Sequence, residues 1–191
     1  MNSPKGIARR EAILRAATET LAVDGHRNST LRAIARALEV EPAHILYYFD
    51  SREELLQAVI ERWDDDAIAA AGGAVDERAA LNFYVATIRH NLEIPGIVHL
   101  YLTLAAEAVH PEHTAHTYFL ERFRRARVLL GDGIRFEQSA GLIAPDYDAD
   151  FEARKLIALA DGLQLQALVD STVDAPGDLE LAIAALRGDR A

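Results

Sequence analysis

The segment Leu31–Leu56, LRAIARALEVEPAHILYYFDSREELL, places two short apolar patterns of helical spacing on either side of a four-residue break. The spacing predicts one helix from Thr30 to Leu38 and a second from about Pro42 to Phe49. Isolated helices of this length are marginal in water, so both must pack against neighbouring helices. Two short helices joined by a tight turn form a helix-turn-helix, in which the second helix lies in the major groove of DNA.

Helical spacing continues along the rest of the chain, and no stretch shows the alternation of a β-strand. Breakers and caps divide the sequence into about nine helices, so the predicted class is all-α. Ser51 and Glu54 form a capping box at the start of helix 4, which we extend past three aspartates to Gly72. The other helices are predicted over about 6–24, 76–92, 95–111, 112–139, 148–170 and from 176 onwards.

The predicted organisation has two parts. Residues 1–50 form a three-helix DNA-binding domain, and residues 51–191 form a larger helical core for effector binding and dimerisation. Helix 4, over about 51–71, links the two parts.

The net charge of −10 is unevenly distributed. Residues 1–52 contain eight Lys/Arg and six Asp/Glu, giving +2, whereas residues 53–191 contain twelve and twenty-four, giving −12. A polyanion such as DNA would therefore meet the N-terminal part, while the acidic remainder would repel it.

Cysteine is absent, which excludes disulfides and thiolate metal sites. Neither a signal peptide nor a membrane span is indicated by the distribution of apolar residues. We expect a cytoplasmic protein that does not enter a membrane.

The run STLRAIARALEVEPAHILYYFDSREELLQAVI resembles the N-terminal domain of the TetR family of bacterial transcriptional regulators. That domain typically shows a Thr-rich cap, an Ile-Ala pair, a short turn, an L-Y-x-Y-F helix and an S-K-E-x-L start to the fourth helix. The resemblance covers Ile7 to about Trp63, and the remaining helices fit the family in length and order. Within the core, HTAHTYFLERF and LIALADGLQLQALVD are similar to a BetI-like variety.

The resemblance implies which residues contact DNA. Base contacts fall on Arg32 and on one side of the second helix, at Pro42, Ala43, His44 and Leu46. Phosphate contacts fall on Thr30, Tyr47, Tyr48 and Arg52, with Lys5, Arg9 and Arg10 as a loose arm. Phosphate contacts position a protein, whereas base contacts specify the sequence.

Two residues depart from the family pattern. Glu39 stands where the family commonly has glycine, and a left-handed conformation there would cost roughly 1 kcal/mol. Glu41 adds a negative charge beside the DNA face.

The resemblance also implies an effector pocket among helices 5 to 7. Polar groups on an apolar helix 6 and nearby aromatic side chains suit a small molecule. The predicted pocket residues are Tyr84, His99, Tyr101, Thr103 and Phe119. Ligand binding would shift helix 4 and change the separation of two recognition helices.

Helix 8 is apolar on more than one face, which indicates one face for the core and one for a partner subunit. In the family, helices 8 and 9 pair across a two-fold axis. The predicted dimer interface comprises Leu159, Gly162, Leu163, Leu179, Ile183 and Leu186.

Two clusters suggest other chemistry. His110, His113 and His116 have a spacing found in metal-binding helices, which leaves a metal-dependent enzyme as the alternative hypothesis. Arg124, Arg125 and Arg127 form a basic run that we interpret as a solvated face.

These patterns together predict a TetR-like repressor. It would bind a palindromic operator in double-stranded DNA as a homodimer and would be released by a small-molecule effector. We expect no enzymatic activity, metal or cofactor.

Overall fold

The computed structural model describes residues 3–188, and every regular element within them is an α-helix. The helices are α1 (Pro4–Asn28), α2 (Leu31–Ala37), α3 (Pro42–Leu46), α4 (Arg52–Ala70), α5 (Ala80–Asn91), α6 (Pro95–Glu107), α7 (His116–Ser139), α8 (Ala149–Val169) and α9 (Ala175–Leu186). The all-α class and the nine predicted helices are confirmed for this part of the chain.

Local capping chemistry sets several helix ends where the sequence predicted them. The Thr30 hydroxyl accepts a hydrogen bond from the Ala33 backbone N–H at 3.2 Å. The Ser51 hydroxyl likewise accepts from the Glu54 N–H at 3.0 Å, and Asp148 caps α8. These side chains satisfy backbone donors that have no partner inside the helix.

Several helix boundaries differ from the predicted ones. The α1 helix ends at Asn28 with a non-helical Gly25 inside it, α5 begins only at Ala80, and α6 ends already at Glu107. The second helix of the motif, α3, stops at Leu46, and the next residues form turns rather than a continued helix. A series of turns after Pro111 delays the start of α7 to His116. The predicted N-terminal arm is wrong, because α1 begins at Pro4 and includes Lys5, Arg9 and Arg10.

One compact unit consists of the described residues up to Asp66 together with Ile94–Tyr118. In this unit α1 packs against both α2 and α6. The approach of α6 to α1 depends on Gly96, where a Cβ atom would lie 2.1 Å from the Leu21 carbonyl oxygen. Since any side chain would collide with this backbone, glycine permits the contact.

The second compact unit consists of Ala67–Glu93 and the described residues from Phe119 onwards. Its core is built from apolar side chains of α5, α7, α8 and α9. Two polar contacts accompany that core. Arg187 donates to both carboxylate oxygens of the buried Glu137 at 2.6 and 2.7 Å, and Asn91 donates to Gln164 at 3.3 Å.

The compact units group α6 with the N-terminal helices, whereas the sequence divided the chain functionally at residue 50. That functional boundary remains a prediction. Over residues 3–188, none of the helices combines the length and apolar character needed to cross a membrane.

Candidate nucleic-acid interface

The helix α3, the second helix of the helix-turn-helix motif, is held in place by two buried apolar side chains. Ile45 and Phe49 are almost completely inaccessible to solvent. The Arg10 guanidinium of α1 lies 4.8 Å from the centre of the Phe49 ring, a distance typical of a cation–π contact. These contacts are needed because five helical residues provide too few backbone hydrogen bonds to be stable alone.

The opposite side of α3 faces solvent. Ala43, His44 and Leu46 are exposed, as is Tyr47, the residue that follows the helix, while Pro42 is half-buried. The ring of the half-buried Tyr48 lies 5.1 Å from that of Tyr47 and 5.6 Å from that of His44, both edge to face. The short helix and the turn after it therefore form a group of ring contacts, in which His44 and Tyr47 face solvent.

The orientation of His44 depends on a residue of α1. The Arg9 Nε donates a hydrogen bond to His44 Nε2 at 3.2 Å. When Nε2 accepts a hydrogen bond, the proton of a neutral imidazole is on Nδ1. His44 can then offer a donor to an acceptor on a base edge.

Residues of α2 and α4 lie at the edges of this surface. Thr30 accepts a capping bond, and its own hydroxyl proton stays available for a phosphate oxygen. Arg32 and Arg36 are both exposed on α2. Arg52 is half-buried and donates to the Ser29 carbonyl at 3.4 Å, so part of its donor capacity is used within the protein.

Arg36 is not among the DNA-contact residues predicted from the sequence. It lies four residues after Arg32, so the two share one side of the helix, and this spacing was the available signal.

The charge of Arg52 also affects a nearby histidine. Burial lowers the pKa of His26 below its usual value, and Arg52 and His99 lower it further. The rings of His26 and His99 are 5.3 Å apart. These effects favour the neutral form of His26 at the contact between α1 and α6.

The turn before α3 contains a strained residue. Glu39 has φ 55°, and it is the one non-glycine residue with positive φ among residues 3–188. The left-handed conformation considered from the sequence is therefore present. Glu41 precedes α3 and makes no side-chain capping bond.

The predicted effector residues divide between the two compact units. In the first, Tyr101 is buried, Thr103 is half-buried and His99 is exposed. In the second, Phe119 is buried, and burial raises the pKa of the Tyr84 hydroxyl, with Asp161 adding to the effect.

The predicted dimer residues also fall into two groups. Leu159 is partly exposed, and Gly162 has open space where a Cβ atom would lie. The other four are buried within the second unit's own core and offer little surface to a partner: Leu163, Leu179, Ile183 and Leu186. Three other apolar residues of α8 and α9 are exposed although they are not in the predicted interface set: Leu165, Val169 and Leu181.

The ring nitrogens of the histidine cluster serve local backbone structure. His110 Nδ1 accepts from the Glu112 N–H at 3.3 Å, and His113 Nδ1 accepts from the Ala115 N–H at 3.2 Å. His116 Nδ1 lies 2.8 Å from the Ala108 carbonyl oxygen. Over residues 3–188, no group of three or more histidine or acidic side chains could hold a metal ion.

Comparison with known proteins agrees with this geometry. Residues 13–59 match the family described as bacterial regulatory proteins, tetR family. The chain is 30% identical to the HTH-type transcriptional regulator BetI of Rhizobium meliloti (strain 1021) over 183 residues, covering 92% of this chain and 84% of BetI. The chain belongs to the TetR family. It is also 24% identical over 155 residues to the HTH-type transcriptional regulator UidR of Escherichia coli (strain K12), covering 81% of this chain and 79% of UidR.

Solved structures extend the similarity of this TetR-family protein across its whole fold. A candidate TetR-family transcriptional regulator from Rhodococcus sp. superposes with a TM-score of 0.72 and 28% identity, covering 94% of this chain and 99% of the other. A candidate transcriptional regulator from Saccharomonospora viridis, solved in complex with choline, gives a TM-score of 0.67 and 26% identity, covering 91% and 94%. The protein is therefore a transcriptional regulator with a helix-turn-helix DNA-binding domain.

We predict that Glu39→Gly stabilises this TetR-family protein. Glycine relieves the left-handed strain but loses more entropy on folding, so the net gain in the free energy of unfolding should be about 0.5–1 kcal/mol. Urea denaturation followed by circular dichroism measures it. Glu39→Ala removes the charge but keeps the Cβ atom and should give no gain. Equal stabilisation by both variants would show that charge, rather than strain, is responsible.

Proposed function

We propose that the protein is a repressor that binds a palindromic operator as a homodimer and is released by a small-molecule effector. The proposal that the protein binds DNA rests on the geometry of α3. Its buried Ile45 and neighbouring Phe49 hold it against the protein, while His44 and Tyr47 face solvent beside the exposed Arg32 of α2. A short helix presented in this way suits the major groove.

The distribution of charge also supports DNA binding at this surface. The first 52 residues have a formal charge of +2, with eight basic and six acidic residues, in a chain of −10. Arg32 and Arg36 form no ion pair with any residue that the structure describes. Their charges are therefore available to phosphates, whose neutralisation by Lys and Arg dominates affinity for DNA.

A homodimer is supported by an exposed apolar face on α8 and α9. Gly162 lies near the middle of this face on α8, with Leu159 and Leu165 about 60° to either side at 100° per residue. Val169 and Leu181 are also exposed. Exposed apolar residues grouped around a small one are typical of a protein interface that permits close approach. A two-fold dimer would present two α3 helices to a palindrome.

A small-molecule effector is supported by the relative that holds choline. Quaternary ammonium groups bind against aromatic faces, and Tyr84, Tyr101 and Phe119 are the aromatic residues among the predicted pocket residues. A coupling of roughly 1–3 kcal/mol would lower operator affinity about 5- to 150-fold.

The metal-dependent enzyme is the weaker hypothesis. The relatives reported above are named as regulators, and the ring nitrogens of His110, His113 and His116 each contact local backbone groups. Stoichiometric metal in the purified protein would be needed to support it.

The first prediction concerns DNA recognition. Selection from a random DNA pool should return a palindrome that the protein prefers to a scrambled duplex at every salt concentration. His44→Ala should weaken binding to that palindrome by roughly 1–3 kcal/mol and relax the preference at one base pair in each half-site. Tyr47→Phe should weaken binding to all sequences equally, because it removes a hydroxyl donor to phosphate.

The matched control is Tyr147→Phe, which makes the same change at an exposed tyrosine outside the motif. Fluorescence anisotropy with labelled duplexes measures all variants. If the palindrome and the scrambled duplex bind with the same affinity and the same steep salt dependence, sequence-specific recognition is disproved.

The second prediction concerns the dimer. Leu165→Glu should convert the dimer to a monomer in sedimentation velocity, because a buried, unpaired carboxylate at the interface is strongly unfavourable. Leu142→Glu is the control, since these leucines are 54% and 53% exposed, respectively, and Leu142 lies outside α8 and α9. A Leu165→Glu variant that remains dimeric would place the interface elsewhere.

The third prediction concerns the effector. Choline should weaken binding to the selected palindrome, and Tyr84→Leu or Tyr101→Leu should reduce that response while leaving operator affinity without choline unchanged. Tyr147→Leu serves as the control. An unchanged response in both pocket variants would contradict the assigned residues, and a wild type insensitive to choline would exclude choline as the effector.

A further inference from the structure

An open groove of about 810 Å³ lies between α7 and α8 in the second unit. Its floor is apolar and is formed by Leu120, Phe123, Ile157 and Ala158. The ring of Phe123 lies 6.2 Å from that of the buried Phe119. Ligand sites in proteins typically have volumes of about 300–1,000 Å³ and largely apolar walls, so this groove could accommodate a small molecule.

Charged side chains surround the floor, and some are already neutralised. The groove is lined by Glu121, Arg124, Arg127, Arg154 and Asp161. Arg124 donates to both carboxylate oxygens of Glu121, at 2.6 and 2.8 Å. Asp161 also has an interaction partner within the protein. Neither carboxylate is therefore a free acceptor.

The two remaining arginines of the groove lining differ from Arg124 because no carboxylate within residues 3–188 is paired with them. Arg127 on α7 and Arg154 on α8 make no hydrogen bond or ion pair with any other side chain in the described part of the chain. Their planar donor groups match the geometry of carboxylates and phosphates.

We propose that this groove binds an amphipathic anion, with its negative head between Arg127 and Arg154 and its apolar chain on the floor between α7 and α8. Three arginines against two carboxylates disfavour a cation such as choline in this groove. None of the five predicted effector-pocket residues is part of its lining, so we treat the groove as a separate site. The proposed anion site does not depend on whether the protein binds an operator.

The test uses the full-length protein and isothermal titration calorimetry. Decanoate and decyl phosphate, each below its micelle concentration, probe two head groups on one apolar chain. Decyltrimethylammonium carries the same chain with a positive head and should bind much more weakly. Both anions binding would indicate a general anion site, whereas one binding alone would identify the preferred head group.

Variants then locate the site. The double variant Arg127→Gln/Arg154→Gln should lower the affinity for the better anion roughly tenfold or more, because two charge-assisted contacts are lost. Arg127→Lys/Arg154→Lys should retain a larger part of the affinity. Arg125→Gln, an exposed neighbour outside the groove lining, should bind as the wild type does.

Three outcomes would overturn the proposal. Neither anion binds the wild type, the glutamine double variant binds as tightly as the wild type, or the cationic amphiphile binds as tightly as the anions. Sedimentation velocity distinguishes a further case. If the glutamine double variant becomes monomeric, the groove is a contact between protein copies and the small-molecule site is excluded. Circular dichroism confirms that each variant is folded.

Discussion

The burial of Ile45 and Phe49 anchors α3, the second helix of the helix-turn-helix motif. The helix α3 has five residues, and a helix of that length cannot persist in water by its own hydrogen bonds. Contact with α2 and the cation–π contact of Arg10 with Phe49 supply what the helix lacks. Because the inner side chains are fixed, the outer ones, including His44 and Tyr47, have defined positions. Recognition in such a motif depends on this rigidity, since a misplaced side chain loses its hydrogen bond to a base.

The helix-turn-helix motif contains backbone strain and an uneven distribution of charge. Contacts from the surrounding structure must offset both. Glu39 adopts the left-handed conformation in the turn where glycine would be easiest. The α1 helix provides Arg9 to orient His44 and Arg10 to cover Phe49, so its basic residues contribute to the structure of the motif as well as to its charge. Residues 1–52 carry a formal charge of +2 in a chain of −10, and this asymmetry favours one orientation toward a polyanion.

Features set by neighbouring residues in the chain were predictable. The caps at Thr30, Ser51 and Asp148, and the prolines at the first turns of α3 and α6, act within one helical turn and could be identified in the sequence. The resemblance to the family motif added predictions of which residues contact DNA. The start of α7 was predicted too early because histidine side chains stabilise turns after Pro111, and this competition is not visible in helical spacing.

The amino-acid sequence was sufficient for the helical class, most helix boundaries and membership of the TetR family, because caps, breakers and apolar periodicity are local properties of the chain. It could not tell which apolar face of α8 enters the core, since a helix apolar on several sides gives no unique answer until its neighbours are placed. Packing alone buried Leu163 and left Leu165 exposed. The tertiary structure likewise brought Arg127 and Arg154, which are distant in sequence, to one groove. Such arrangements depend on distances between helices, which no pattern along a single helix can specify.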